Sequence, residues 1–522
     1  MMALAQPGYV WRLGDLIGGL FDLPPESESA LDLRVSGLAL DSRTLIPGAL
    51  FLACQGRCVH ALSFADEARR RGAIAILAES TDEWPVEVMR HLEGRLGLPV
   101  IPVAALSSRL AAIADRFHGT PSARLEVFGI AGASGKTSLG HLLAQACSAE
   151  FSCALIGSIG NGFPGDLHVG PSATSDPLTL QWTLEDLRSR GARGITLEMP
   201  SHAPARSSLS AVRVSHALFT NLDRNQRVAH DGASVEVEAV RALFASPGLA
   251  WAVLNLDDSL SDEILDSLAP DVSVAAYSLR PDAHPPGRCD LWLQARAIET
   301  LPRGLRMRVQ CTDDSGLEEA VLEVGLLGRF NAANLMAVLA VLRSRGGSLD
   351  RAVREVARVR PVPGRMECFG TDSTPQVVVD GANTPEALER VLLNLRLHGY
   401  RRIISVFGCD GSRDRAKRAR MGAIAEQLSD RIILTDDNPR HESGDAILAD
   451  ILAGLSAPDE VRLERQRGLA IRRAIALAST EDAVLVAGKG HEIIQDMGEL
   501  KVHFSDRAQV VEALREWREG HH

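Results

Sequence analysis

Lys136 and Thr137 stand behind Gly132-Ala133-Ser134-Gly135 and ahead of Ser138, a spacing of residue types that suits phosphate chemistry. An ammonium there neutralises β/γ-phosphate charge, and the hydroxyl can ligate Mg²⁺. The glycines let backbone N–H groups converge on phosphate oxygens, and a following helix adds the partial positive charge of its N-terminus. The pattern lacks the first glycine of the full G-x-x-x-x-G-K-[ST] motif, since Ile130 occupies that position. Further on, Glu198 follows an apolar run and precedes Ser201 and His202. A carboxylate at that point can hold Mg²⁺ directly or through water.

Other candidates form small groups. Ser42 and Arg43 lie in a polar turn between two apolar runs, where a turn is the plainer reading and a ligand contact the alternative. Asn331 and Asn334 are three apart at the start of a helical pattern, placed to cap the helix or to bind a base. Near the C-terminus come the runs DGANTP, GCDGSRD, DDNPRHE and GKGHE, each following an apolar strand pattern.

The elements that must position these residues follow from the apolar runs. Val127, Phe128 and Ile130 predict a buried strand, and Leu139, Leu142, Leu143 and Ala146 share one face of the helix behind it. Three domains are expected: 1–122, a small α/β domain; 123–360, a parallel sheet carrying the phosphate loop; and 361–522, opening after Pro361-Val362-Pro363-Gly364. The first has strands at Val35–Leu40, Ala49–Ala53 and Ile74–Leu77, with a helix over Phe64–Gly72. The second adds strands at Gly194–Met199, His216–Leu222 and Trp251–Leu254. The third has strands at Gln376–Asp380, Ile403–Phe407, Ile432–Thr435 and Ala483–Ala487. Ligands of such α/β sheets bind at the carboxyl ends of strands, which is where the four loops fall.

With 522 residues, one core is too few and about three domains are expected. A net charge of −11 gives no general attraction for nucleic acid or anionic membrane. Eight cysteines without a CxxC pair read as reduced thiols, mostly buried, and Cys54 with Cys58 lacks a second ligand pair for a metal. No basic start leads into an apolar core at the N-terminus and no 18-residue apolar run occurs, so a cytoplasmic protein is expected.

In this order GASGKT, LEMPSH, FTNL, GRFNAAN, PGRME, DNPR and GKGHE resemble the Mur ligases over nearly the whole chain. DNPR with GKGHE is similar to the diaminopimelate-adding members. The resemblance implies the three-domain α/β architecture, with a central P-loop parallel sheet and a Rossmann-like C-terminal domain. It implies ATP-driven amide synthesis through an acyl phosphate, with ATP and Mg²⁺ required. In the family pattern Thr137 and Glu198 attend the metal, and Lys136 and Glu198 are the catalytic pair. Residues Gly132 to Ser138 hold phosphate, Asn331 and Asn334 the adenine, and Arg365 and Asp380 the ribose and phosphate side. Ser42, Thr174 and Ser201 fall on the acyl-substrate side. Arg413, Asp437, Asn438, Pro439, Arg440, Gly488 and Glu492 match the amino-acid positions, with Arg440 suited to the distal carboxylate and Glu492 to the distal ammonium. The expected partners are small molecules, a carboxylate acceptor and a diaminopimelate-like amino acid. A monomer is expected, with a partner protein left open.

The central domain departs from that pattern. The family's metal-binding lysine is Val240, and its histidine is Gln226 behind Asn225. The acyl-binding run reads Ser172-Ala173-Thr174, two further contacts are Arg206 and Ser208, and the D-Y-A-H segment carries Gly381 and Asn383. Two readings follow. One is a ligase diverged in its acyl substrate or its handling of magnesium, which the kept phosphate loop and DNPR run favour. The other is a binding subunit without catalysis, which the lost metal ligands favour.

Overall fold

The computed structural model describes residues 9–56, 58–168, 176–199, 209–222 and 235–520. The chain divides into two compact units, one of 1–140, 147–254 and 258–274, the other of 141–146, 255–257 and 275–522.

The first unit begins with a four-stranded parallel sheet in the order Gly37–Ala39, Ala49–Ala53, Ala75–Glu79, Val100–Val103. Both faces are covered, so the strands are unbroken apolar runs. Leu50, Leu52 and Leu77 enter a core with Leu13, Leu110 and Phe117, while Phe51 and Ile76 enter another with Leu62, Met89 and Leu96. The expected helix over Phe64–Gly72 is Ala65–Arg70, and the strand after it is Ala75–Glu79.

The unit's larger sheet orders its strands Asp166–His168, Gly160–Phe163, Cys153–Gly157, Gly194–Glu198, Glu126–Ala131, His216–Phe219, Trp251–Asn255. Glu126–Ala131 lies between two parallel neighbours, Ile195 opposite Val127 on one side and Leu218 opposite Ile130 on the other. The phosphate loop therefore leaves a central strand, and both flanking strands end beside it.

The second unit contains an element absent from the sequence reading. Leu291–Leu301, Gly304–Asp313 and Gly316–Val324 form a long antiparallel meander. Leu305, Met307, Val309 and Cys311 are its buried side, a period of two between exposed residues. The helix Phe330–Ser344 follows. The last sheet has the order Glu367–Phe369, Gln376–Asp380, Ala483–Ala487, Ile403–Phe407, Arg431–Leu434, Arg462–Leu463, parallel after its first strand. Its core includes Leu388, Leu392, Phe407 and Leu485, and also Leu327 from before the Phe330 helix. His398 ties the same segments together. Its Nε2 accepts the Gly328 N–H at 2.9 Å and its Nδ1 donates to the Leu301 carbonyl at 2.6 Å. Burial holds this imidazole below its ordinary pKa, against the opposing pull of the Leu301 carbonyl.

Arg418, fully buried, donates to both oxygens of Glu442 at 2.7 Å and to Asp450 at 2.9 Å. The two Arg418 bonds to Glu442, with the Ser412 N–H, hold the Glu442 carboxyl down at about 2. A carboxyl lowered on folding contributes stability above its unfolded value, about 4.3, and that contribution is lost as pH falls toward 2. Melting temperature is therefore expected to fall between about pH 5 and pH 2, with a shallower slope in Glu442→Gln. Parallel slopes in a pH series of thermal melts would contradict this.

Among the described residues no helix is long and apolar enough to cross a membrane. All eight cysteines are free thiols: Cys147, Cys153, Cys311 and Cys409 are buried, and Cys58 is exposed. The sequence expectation that most are buried thus holds for only half of them.

Candidate active site

The phosphate loop is braced by the end of the neighbouring strand. Ala133 N–H donates to the Asn221 carbonyl at 2.7 Å, and the Ser134 N–H and hydroxyl both donate to Asn221 Oδ1, at 3.2 and 2.9 Å. Thr220 Oγ1 donates to the Ser134 carbonyl at 2.8 Å. The Ala133 and Ser134 amides are thus engaged with Asn221, and with the Thr220 bond they set the loop's shape before any ligand arrives. The sequence places Asn221 at a strand end without showing this role, because the partners are 87 residues apart.

Lys136 reaches back across the loop to the Gly132 carbonyl at 2.5 Å. Burial draws its ammonium down from the ordinary lysine value, while the charges of Glu198 and Glu236 oppose that shift. Thr137 Oγ1 donates to Glu198 Oε2 at 3.0 Å and lies 2.8 Å from the Ser158 hydroxyl. A residue in the first turn of the helix Lys136–Cys147 and one at the end of the strand Gly194–Glu198 therefore meet as a hydroxyl and a carboxylate, an all-oxygen donor pair suited to a hard cation such as Mg²⁺. Gly157 keeps that place open, since a Cβ there would stand 2.1 Å from Glu198 Oε1. Val240 is completely buried in the helix Val235–Phe244 and offers a metal nothing. The sequence candidates Thr174 and Ser201, and with them Gln226, Arg206 and Ser208, lie outside the described residues.

Ser42 is buried and donates to Glu67 Oε2 at 2.7 Å. It borders a cavity of about 500 Å³ that Leu40, Arg43, Phe51, Phe64 and Glu67 also line. Cavities of that size, apolar with a few fixed polar groups, suit small organic ligands.

The second unit carries the candidates Asn331, Asn334, Arg365 and Asp380 and those of the DNPR and GKGHE runs. Asn331 donates to the Leu327 carbonyl at 2.7 Å and accepts from Asn334 at 3.1 Å, so the two amides bond to each other at the start of their helix. Asp380, also buried, accepts the Met366 N–H at 2.7 Å, and burial pushes its carboxyl up against that bond and the Arg365 charge.

Asp380 ends its strand beside Gly488, whose N–H donates to the Asp380 carbonyl at 3.0 Å, and the remaining candidates lie with them at the carboxyl ends of the last sheet. Lys489, fully buried, donates to Asn438 Oδ1 and Glu492 Oε2 at 2.9 Å and to the Ile494 carbonyl at 2.8 Å. Asn438 Nδ2 donates to the same Glu492 oxygen at 3.0 Å. Burial pushes Glu492 up, but these donors win and hold it below the usual glutamate range. Asp437, 3.9 Å from Lys489, is pushed up to about 6 by burial despite Arg467 and Lys489. Gly488 is required beside it. Its φ of +115° disfavours a side chain, and a Cβ would lie 2.2 Å from Asp437 Oδ2. Behind them Arg467 and Asp506, both fully buried, pair at 2.7 Å. Pro439 leads to Arg440, whose N–H donates to the Asp496 carbonyl at 3.0 Å. Glu492 and Arg440, opposite in charge, thus stand on one frame of DNPR, GKGHE and the 494–496 strand. Arg413 is exposed on the loop after Ile403–Phe407. The sequence reading missed Lys489, although it lies inside GKGHE.

Three family descriptions match the chain in order: "Mur ligase family, catalytic domain" over 34–118, "Mur ligase middle domain" over 130–342 and "Mur ligase, glutamate ligase domain" over 364–490. The chain is 42% identical over 507 residues to a UDP-N-acetylmuramoyl-L-alanyl-D-glutamate–2,6-diaminopimelate ligase of Alkalilimnicola ehrlichii, covering 97% of this chain and 99% of that one. The protein of the same name from Pseudomonas aeruginosa is 38% identical, with 96% and 99% covered. A solved structure of a ligase of that name matches with a TM-score of 0.67 at 30% identity, over 94% of this chain and 96% of the other. A MurF ligase from Thermotoga maritima, solved with ADP, shares the fold at 17% identity and a TM-score of 0.57, over 93% and 98%. Together with the braced phosphate loop, the three family descriptions and these full-length matches place the chain in the Mur ligase family, the ATP-dependent enzymes that form amide bonds.

Proposed function

We propose that this ligase joins diaminopimelate, through one of its amines, to the carboxylate of a muramoyl-dipeptide nucleotide. The observation that carries this reading is the frame holding Arg440 and Glu492. A diamino dicarboxylic acid brings a distal carboxylate and a distal ammonium together, and the frame supplies one charge for each. Lysine has the ammonium alone and would leave Arg440 without a partner. The names of the full-length relatives point the same way.

The chain's own residues divide the work. Lys136 neutralises phosphate charge as the carboxylate of the acyl substrate is phosphorylated, and the Thr220-Asn221 brace keeps the loop's shape through that step. Thr137 and Glu198 would hold Mg²⁺, which supplies charge neutralisation between the phosphates when bound. Asn331 and Asn334 receive the adenine, with Arg365 and Asp380 on the ribose and phosphate side. The cavity at Ser42 takes the nucleotide part of the acyl substrate. Asn438 and Lys489 fix Glu492, so the carboxylate meant for the distal ammonium is held in place.

A second reading, a binding protein without turnover, is favoured by one observation: Val240 is a buried aliphatic side chain where the family pattern has a metal-binding lysine. One assay separates the two. Phosphate release from ATP and Mg²⁺ is measured with the muramoyl-dipeptide nucleotide and either meso-diaminopimelate or lysine. Diaminopimelate is expected to be preferred by at least ~100-fold, and Arg440→Ala to erase most of that preference. Equal use of both amino acids would refute the pocket assignment. Binding of both substrates with no phosphate release would favour the second reading.

A further inference from the structure

We infer that Asp410 sets how strongly this pocket discriminates for a second carboxylate, by acting as an internal rival for Arg440. This rests on the reading of Arg440 above. Asp410 Oδ2 lies 3.9 Å from Arg440 Nη2, with the two side chains 14% and 31% exposed. Both carry a buried polar atom without a hydrogen-bond partner, Asp410 Oδ1 and Arg440 Nε. The pair is near enough to attract yet does not close into a bidentate contact, which leaves donor capacity on Arg440 and acceptor capacity on Asp410 unused.

Their separation is fixed by the backbone. Arg418, anchored on Glu442, donates to the Asp410 carbonyl at 3.1 Å, and Gly411 N–H donates to the Asn438 carbonyl at 2.8 Å. Arg440 is held by Asp496, with a φ of +53°, and Ser412 across from it has a φ of +56°. Two non-glycine residues in the left-handed region, on two loops bonded to each other, mark a geometry that the surroundings enforce. Asp410 cannot easily move away.

A ligand carboxylate arriving at Arg440 therefore meets a resident carboxylate. Asp410 repels that group and already satisfies part of the arginine's charge. For lysine, with no second carboxylate, Asp410 costs nothing and lessens the penalty of an unmatched Arg440. The residue thus weakens diaminopimelate and narrows its advantage over lysine.

The test is calorimetric titration of the full chain with meso-diaminopimelate and with lysine. Asp410→Asn is expected to tighten diaminopimelate about tenfold and to move lysine by less than about twofold. Asp410→Glu, whose longer side chain reaches Arg440, should weaken diaminopimelate. In an Arg440→Ala background Asp410→Asn should no longer change the ratio of the two, the coupling that a double-mutant cycle reads. If Arg440→Ala erases the preference but both Asp410 variants leave it unchanged, the inference is overturned while the Arg440 assignment stands. If the unmodified chain shows no preference and Arg440→Ala changes nothing, the assignment itself falls.

Discussion

Lys136→Ala is expected to lower phosphate release by about 10³-fold, the scale set by removing a preorganised charge from a transferring phosphoryl group. Binding of ATP should weaken at the same time by ~1.5–3 kcal/mol, as for the loss of one charge-assisted contact. The substitution removes the lysine's own bond to the Gly132 carbonyl, while Ala133 and Ser134 stay anchored to Asn221 and Thr220, so most of the loop's shape should be kept. Melting temperature therefore serves as the control. Turnover within about tenfold of the unmodified chain would show that the charge at this loop is not what drives the chemistry.

The second large effect is expected at Lys489. Its ammonium is wholly buried and serves Asn438, Glu492 and the Ile494 carbonyl, with Asp437 at 3.9 Å. Removing one member of a buried charge network leaves the rest uncompensated, at a cost of about 3–5 kcal/mol. Lys489→Met should destabilise the second unit by that amount, lowering its melting transition by roughly 10 °C. Adding Glu492→Gln removes one of the stranded charges and should recover part of the loss. Absence of any such recovery would mean that packing of the lysine stem, and not its charge, is what the site requires.

Several elements were legible from residue types alone. Ala49–Ala53, Gln376–Asp380, Ile403–Phe407 and Ala483–Ala487 are covered on both faces and so appear as apolar runs between turn residues, with ends that match the reading. The meander over 291–324 was not, because Gly304–Asp313 and Gly316–Val324 each have an exposed side and the alternation at Leu305, Met307 and Val309 is diluted by arginines. Within the site, Lys136, Thr137 and Glu198 could be placed, since a glycine turn and a strand end fix their positions locally. Lys489 could not be assigned a part, because a lysine usually reads as solvated and only its distant partners make it a buried strut. The spacing of Asn331 and Asn334 put them on one turn, but that their amides would bond to each other and to Leu327 depends on a loop conformation no spacing reveals.

His398 carries a consequence for cutting the chain into fragments. With Nε2 accepting from Gly328 and Nδ1 donating to Leu301, the ring is confined to one neutral tautomer. A fragment beginning at 361 would contain that imidazole without either partner, and its core would lack Leu327. An expression boundary chosen to keep this sheet intact belongs upstream of the Leu291–Leu301 strand. In such a fragment the Gly328 amide should exchange with deuterium as slowly as the strand amides around it, and the imidazole nitrogens should report a single tautomer by NMR.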